Sequence, residues 1–338
     1  MRTVKVARHS YKTYPMKAAL YRDYGPPEVL VIQEIAKPVP KHKEVLIRVR
    51  AASVSSADWR ARSLIMPSGF GFFGRPFFGF TRPRQPILGT ELAGEVVAIG
   101  KSVRNYRIGD RVFAFTGSKM GCYVEYKCLP EDGPIAKITA TISFEQAAAL
   151  SFGGATMLDF YKRGALVKGE RVLINGASGC VGSAAVQLAK HFGAHVTAVC
   201  STSSFAMVRG LGADCLIDYT RQDFSQLSDY YDVIVDTVGT APFVKCRPVL
   251  SSGGRLLVVL GSMGDMFRML WINGLGDLQI IAGPATENPN YVQQLSELSA
   301  IGAFTPVIDR CYAFDQIVEA HRYVDQGHKR GNVVLILK

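Results

Sequence analysis

The residues best suited to chemistry lie between 171 and 191. Val172-Leu173-Ile174-Asn175 reads as a strand, Gly176-Ala177-Ser178-Gly179-Cys180-Val181-Gly182 follows, and Ser183–His191 reads as a helix. Small residues at Ala177, Gly179 and Gly182 let the chain turn tightly, approach a pyrophosphate and pack helix on strand. Backbone N–H groups and the positive helix end then stabilise the phosphates. The spacing is A-x-G-x-x-G rather than G-x-G-x-x-G, but strand, helix and a second strand at His195–Cys200 supply the context of a dinucleotide site. The end of that second strand chooses the cofactor. A carboxylate there accepts hydrogen bonds from the ribose hydroxyls of NAD. Here Cys200 is followed by Ser201, Thr202, Ser203 and Ser204, and the next acid is Asp214. Hydroxyls can donate to a 2′-phosphate that a carboxylate would repel, so NADPH is expected. Tyr219 and Arg209 are the nearest supplements, although no Lys or Arg follows the strand directly. Val238-Gly239 and Gly261-Ser262 come after the fourth and fifth strand candidates, where a dinucleotide runs.

Positioning these residues requires a parallel sheet. From about Ser143 strands alternate strictly with helices: Arg171–Asn175, His195–Cys200, Cys215–Asp218, Asp232–Asp236, Arg255–Leu260 and Leu278–Ala282, with helices notably at Gly182–Phe192 and Phe205–Leu211. Their continuous apolar runs are those of strands covered on both faces, and the order predicts a doubly wound α/β sheet of Rossmann type. Upstream, short β-like segments (Lys17–Tyr21, Val29–Ile35, Glu44–Ala51, Gly94–Gly100, Asp110–Phe115) are punctuated by Gly25-Pro26-Pro27 and Lys37-Pro38-Val39-Pro40, which predicts a β-rich domain. The last segment returns to helix (Tyr291–Ile301, Phe314–Gln326) and a strand, Asn332–Leu337. Between Met66 and Pro86 six phenylalanines alternate with glycines and with Arg75, Arg82 and Arg84. Gly and Pro density there argues against a regular helix. Such a loop can lid an apolar pocket, pack on the core, or meet a membrane or partner surface. Trp271 and the Met263–Met269 cluster read as pocket lining or packing.

The chain has 338 residues, 48% hydrophobic and 20% charged, which suits two globular domains. No apolar run reaches the roughly 18 residues of a membrane span, and no secretory signal is legible. Seven scattered cysteines without C-x-x-C spacing read as reduced thiols in the cytoplasm. Net charge is +11, and residues 1–50 hold eleven basic against four acidic side chains. Residues 1–15 read as a basic tail. No nucleic-acid module accompanies the charge, although the basic region leaves peripheral membrane contact open.

From Met16 to Lys338 the chain resembles the zinc-independent medium-chain dehydrogenases/reductases of the quinone oxidoreductase type. The resemblance rests on Lys17-Ala18-Ala19-Leu20, Gly25-Pro26-Pro27-Glu28-Val29-Leu30, Pro86–Val97 (PILGTELAGEVV), Gly109-Asp110-Arg111-Val112, Gly121–Tyr126 (GCYVEY), the dinucleotide fingerprint, and Leu211–Asp214 with Ile217–Tyr219. It implies a GroES-like catalytic domain at 16–142, a Rossmann NADP-binding domain at 143–283, and a C-terminal segment, 284–338, that returns to the catalytic domain. It also implies a homodimer joined edge to edge along Arg255–Leu260 and Leu278–Ala282, while a monomer with a covered edge fits the same strands. Where zinc enzymes of the superfamily place Cys, His and Cys ligands, this chain has Ser55, Thr90 and Phe152, none a good zinc ligand, so no metal is expected. Without a Lewis acid, hydride transfer from NADPH suits an apolar quinone or an α,β-unsaturated carbonyl. Ser55 is a candidate hydrogen-bond donor or a filler of the vacated ligand space; Tyr123 is a candidate acid or a structural aromatic. Thr156 matches the family's cofactor-contacting Thr, and Asn332 in the final strand is a candidate for the nicotinamide side. The other functions open to such a chain are a zinc-free NADP-linked alcohol/aldehyde dehydrogenase and a non-catalytic NADPH-binding protein at a membrane or partner.

Overall fold

The computed structural model describes residues 14–138, 142–274 and 276–338. Most of the basic N-terminal stretch, up to residue 13, therefore lies outside the described residues.

Extended segments build the first half. β1 (Pro15–Leu20) pairs antiparallel with β2 (Val31–Ala36). β3 (Glu44–Val54) is followed by two helices, α1 (Ser56–Ser63) and α2 (Gly71–Phe78). Then come β4 (Glu91–Ile99), β5 (Arg111–Phe115), β6 (Tyr126–Pro130) and β7 (Ile135–Lys137). Helix α2 overturns the expectation of an irregular 66–86 loop. Pro76 lies late in this short helix, so its missing N–H forfeits a single bond, to the carbonyl of residue 72. The glycines serve packing: a Cβ on Gly74 would sit 2.9 Å from Cγ of Met66, and the chain leaves the helix at Gly79 with φ +130°.

The second half alternates as its apolar runs predict. Helices α3 (Phe144–Ala147) and α4 (Ser151–Arg163) lead into β8 (Arg171–Asn175), α5 (Cys180–His191), β9 (His195–Cys200), α6 (Phe205–Gly210) and β10 (Cys215–Asp218). β11 (Tyr231–Asp236), α7 (Phe243–Cys246), β12 (Leu250–Val258), α8 (Met263–Ile272) and β13 (Gln279–Ile281) complete it. The sheet runs β10-β9-β8-β11-β12-β13, parallel throughout, so strand order reverses between β8 and β11. A crevice opens at the carboxyl ends of strands at such a reversal. The fold is thus a doubly wound Rossmann-like sheet joined to a GroES-like β-rich body.

The chain then returns. After α9 (Pro289–Ala300), β14 (Ile308–Ala313), α10 (Ile317–Asp325) and β15 (Asn332–Ile336) enter the first body, whose sheet runs β14-β15-β3-β4-β5-β7 with β6 on β3. β14 was not anticipated, because Ile308-Asp309-Arg310-Cys311-Tyr312-Ala313 has the mixed polarity of an edge strand.

Two features bear on the surface. Helix α8 buries none of its residues. The outer edge of β13 is closed by Asn273, whose side-chain amide donates to the Ile280 carbonyl (3.0 Å) and accepts from the Ile280 N–H (2.8 Å). Both backbone groups of Ile280 are thereby satisfied within the chain.

Candidate active site

A cleft of about 660 Å³ lies between the two bodies. Its floor is the turn after β8, with Gly179, Cys180, Val181 and Gly182; Val238 and Thr237 flank it, and Thr156 faces it from α4. The tightness of that turn has a visible cause. A Cβ on Gly182 would lie 2.0 Å from the Gly176 carbonyl oxygen, and Gly176 itself has φ +81°. Helix α5 begins at Gly179 with no side-chain cap, so the N–H groups of its first turn remain available to an anion. A dinucleotide pyrophosphate fits this cradle. Ala177 is fully buried beneath the turn, and burial pushes the Cys180 thiol up to about 11, so that it stays protonated. Ser178 reaches outward through its carbonyl, which accepts from Gly331 N–H at 2.9 Å.

The far end of the cofactor path differs in detail from the expectation. The Thr202 hydroxyl donates to Asp218, so it is not free for a phosphate. Those bonds, with others from Thr220, hold the Asp218 carboxyl down to about 2. Ser201 and Ser203 share a hydrogen bond at 3.0 Å, and Tyr219 is exposed beside them. A cation from another part of the chain stands there: Nη1 of Arg330 donates to the Ser203 carbonyl at 3.3 Å. Its neighbour Lys329 lines the cleft. Sequence reasoning missed Arg330; the run His328-Lys329-Arg330 before the last strand was the available signal.

Other expected contacts are used elsewhere. Ser262 is the N-cap of α8, donating to Asp265 at 2.7 Å. Asn332 is buried with its amide on the Val307 carbonyl at 2.9 Å. Gly239, at φ +78°, donates its N–H to Asp236, and Gly261 follows β12 without lining the cleft.

The catalytic candidates are corrected most. Ser55 is the N-cap of α1; its hydroxyl donates to Asp58 at 2.6 Å, and the residue is buried and does not line the cleft, although Ser56 and Ala57 do. Tyr123 is completely buried, its hydroxyl donates to the Ser53 carbonyl at 3.1 Å, and its ring meets His321 edge-on. Burial and the nearby Asp58 carboxyl drive the Tyr123 phenol well above its ordinary value, which leaves it a poor proton donor. Both are framework residues.

The cleft wall instead presents Thr90, together with apolar Phe77, Phe78, Phe115, Met120 and Phe152. Thr90 Oγ1 is buried and has no hydrogen-bond partner among the described residues. Both neighbours of Thr90 are pinned. The Gly89 N–H donates to the Asp58 carboxyl at 2.8 Å. The buried Glu91 carboxyl accepts from Ser53 Oγ and from the N–H groups of Ser151 (2.9 Å) and Phe152 (2.8 Å), at the start of α4. Desolvation raises Glu91 to about 7 despite these bonds. Among the described residues no group of three or more His, Cys, Asp or Glu side chains could hold a metal ion.

Comparison with known proteins agrees with this architecture. The alcohol dehydrogenase GroES-like domain family matches residues 41–140, and the zinc-binding dehydrogenase family matches residues 211–335. The chain is 32% identical over 333 residues to 2-methylene-furan-3-one reductase of Solanum lycopersicum, spanning 95% of this chain and 79% of that protein. It is 31% identical, over the same shares, to the chloroplastic NADPH-dependent alkenal/one oxidoreductase of Arabidopsis thaliana. The solved quinone oxidoreductase of Coxiella burnetii superposes with a TM-score of 0.83 at 28% identity, over 96% of this chain and 100% of that one. The chain therefore belongs to the medium-chain dehydrogenase/reductase superfamily, in its quinone oxidoreductase-like branch. It is a nicotinamide-dependent oxidoreductase.

Proposed function

We propose that the protein is an NADPH-dependent, metal-free reductase of apolar quinones or α,β-unsaturated carbonyls. One observation carries the reading: Thr90, at the place of the absent zinc ligand, lies on the cleft beside Phe77, Phe115, Met120 and Phe152 and keeps a buried hydroxyl with no hydrogen-bond partner among the described residues. Bound NADPH would supply the hydride. The chain's own part is to hold the acceptor flat among Phe77, Phe115 and Phe152, exclude water, and donate a hydrogen bond from Thr90 to the acceptor oxygen as charge grows there. A hydroxyl polarises a carbonyl less than a metal does. That suits quinones and enones, whose hydride-accepting carbon is already activated.

The preference for NADPH rests on Arg330 beside Ser201–Ser203 and on the absence of a carboxylate directly after β9. Division at 16–142, 143–283 and 284–338 and a reducing, cytoplasmic setting belong to the same reading. The test is oxidation of NADPH and NADH, followed by loss of reduced-nicotinamide absorbance, across quinones, enones and simple aldehydes, with and without a chelator. Chelator-insensitive turnover of quinones or enones, faster with NADPH, is the expected result. Loss of activity on chelation, or turnover confined to aldehydes, would overturn it.

A further inference from the structure

The cleft wall carries a charge that the proposed reduction leaves unused. Four charged side chains line the cleft: Arg60, Glu287, Asp325 and Lys329. Three of them are already engaged. Glu287 accepts from the Ser118 N–H, Asp325 holds Arg62 with both carboxylate oxygens, and Lys329 donates to the Gly331 carbonyl at 2.8 Å. The Gly331 N–H in turn donates to the Ser178 carbonyl, so Lys329 belongs to the dinucleotide turn. Arg60 differs. It stands half-buried in α1, its guanidinium 4.9 Å from the Trp59 ring, with Nη1 donating to the Ile65 carbonyl at 3.2 Å. Among the described residues it takes part in no ion pair.

That arrangement leaves the useful edge of the guanidinium open. Nη1 is spent on Ile65, whereas Nε and Nη2 have no acceptor among the described residues. Those two parallel donors are the pair that meets a carboxylate with two bonds. The bond to Ile65 and the face of Trp59 hold the guanidinium in place, so little freedom is lost when an anion docks. Burial pulls the Arg60 guanidinium below its ordinary value, and no nearby carboxylate opposes that. A cation taken out of water without a counterion is costly, and an anion entering the cleft offsets the cost. The cofactor phosphates have their own cradle, at the start of α5 on the other body. Trp59, Phe77 and Phe78 line the cleft with Arg60, so the molecule that brings the anion must be apolar next to it.

We infer that Arg60 selects acceptors that carry a carboxylate on an apolar chain. The enone or quinone end receives the hydride, and the carboxylate pairs with Nε and Nη2 of Arg60. The inference rests on the reading of this cleft as a quinone or enone reductase site, and names which members of that class it takes. Arg60 sets specificity here and has no part in hydride or proton transfer.

The full-length protein is assayed with NADPH and two matched pairs of acceptors. One is a straight-chain enone ending in a carboxylate against its methyl ester; the other is a benzoquinone with a carboxyalkyl side chain against its methyl ester. The readout is the ratio of kcat/KM for acid over ester within each protein, which cancels differences in active fraction. The expected ratio is about tenfold or more and is carried by KM. It should fall toward one in Arg60→Gln, pass below one in Arg60→Glu, and be partly kept in Arg60→Lys. A second arm needs no turnover. The two tryptophans are Trp59 and Trp271, so in Trp271→Phe the emission comes from Trp59, against which Arg60 lies. With NADP+ bound, the saturated acid should change that emission and bind about tenfold more tightly than its ester, a difference that Arg60→Gln removes. Esters handled as well as acids would overturn the inference. So would an equal fall in kcat for acid and ester in Arg60→Gln with the ratio intact, which would put Arg60 at the reacting oxygen. If no acceptor of either kind is reduced, the reductase reading fails and the binding arm alone decides for or against Arg60.

Discussion

Thr90 is held by its neighbours, and its own hydroxyl, the donor in the proposed reaction, has no partner among the described residues. Replacing it with valine keeps the shape and removes the donor. kcat/KM for a quinone or enone should fall roughly 10- to 100-fold, the cost of one unmade hydrogen bond to a charging oxygen. The dissociation constant for NADPH should not change, and Thr90→Ser should restore much of the rate; full activity in the valine variant would exclude the role. Arg330→Ala should raise KM for NADPH about tenfold, by losing a charge-assisted contact, and leave NADH unaltered. Equal effects on both cofactors would place Arg330 outside the phosphate site. At this scale the sequence was only partly legible. Ser55-x-x-Asp58 is a capping box and could have been recognised as one. The run His328-Lys329-Arg330 marked a basic cluster, but its meeting with Ser203 arises only through the tertiary return of the C-terminal segment.

Elements convert these residues into a site. The turn from β8 to α5 tolerates no side chain at Gly182, so Gly182→Ala should abolish NADPH binding in a fluorescence titration while leaving the rest of the fold cooperative. Retained affinity would mean that the turn does not carry the phosphates. Glu91 fastens the start of α4 to β3 and β4. Its carboxyl has a folded value of about 7, above the unfolded value, so folding favours the protonated form. That contribution is fully present below the unfolded pKa, near 4.5, and is lost as pH rises through about 7. On the order of 3 kcal/mol is at stake. Relative to Glu91→Gln, the parent should therefore lose thermal stability between pH 4 and pH 8; parallel curves would refute it. The strands of the parallel sheet were readable because covered strands are continuously apolar. Helix α2 was not, because Gly and Pro densities report local propensity and say nothing of the close packing of Gly74 on Met66.

Across the whole molecule, the two halves of the catalytic body are joined by a buried cation. Arg62 is completely buried and forms a bidentate pair with Asp325, the nearer oxygen at 2.5 Å, while its Nε faces Nδ1 of His321 at 3.3 Å. Burial beside that guanidinium pushes His321 down to about 3, so the imidazole is neutral. Arg62→Met should cost about 3 kcal/mol, whereas Asp325→Ala should cost more, since it leaves a buried cation without its counterion. Urea unfolding of the two variants checks the order. A reversed order would show that the carboxylate, not the arginine, bears the desolvation. Nothing in the sequence announced this pair, whose members stand 263 positions apart.

The position of β15 carries a consequence for how the molecule is made. It lies between β14 and β3, and its partner in β3 was synthesised near the beginning of the chain. The parallel sheet from β8 to β13 is contiguous and can assemble while translation continues. The first body cannot, because β15, which pairs with β3, follows the whole parallel sheet in the chain. Its half-formed edge must wait, exposed, through most of synthesis. For this protein nascent-chain protection is needed most by the part made first.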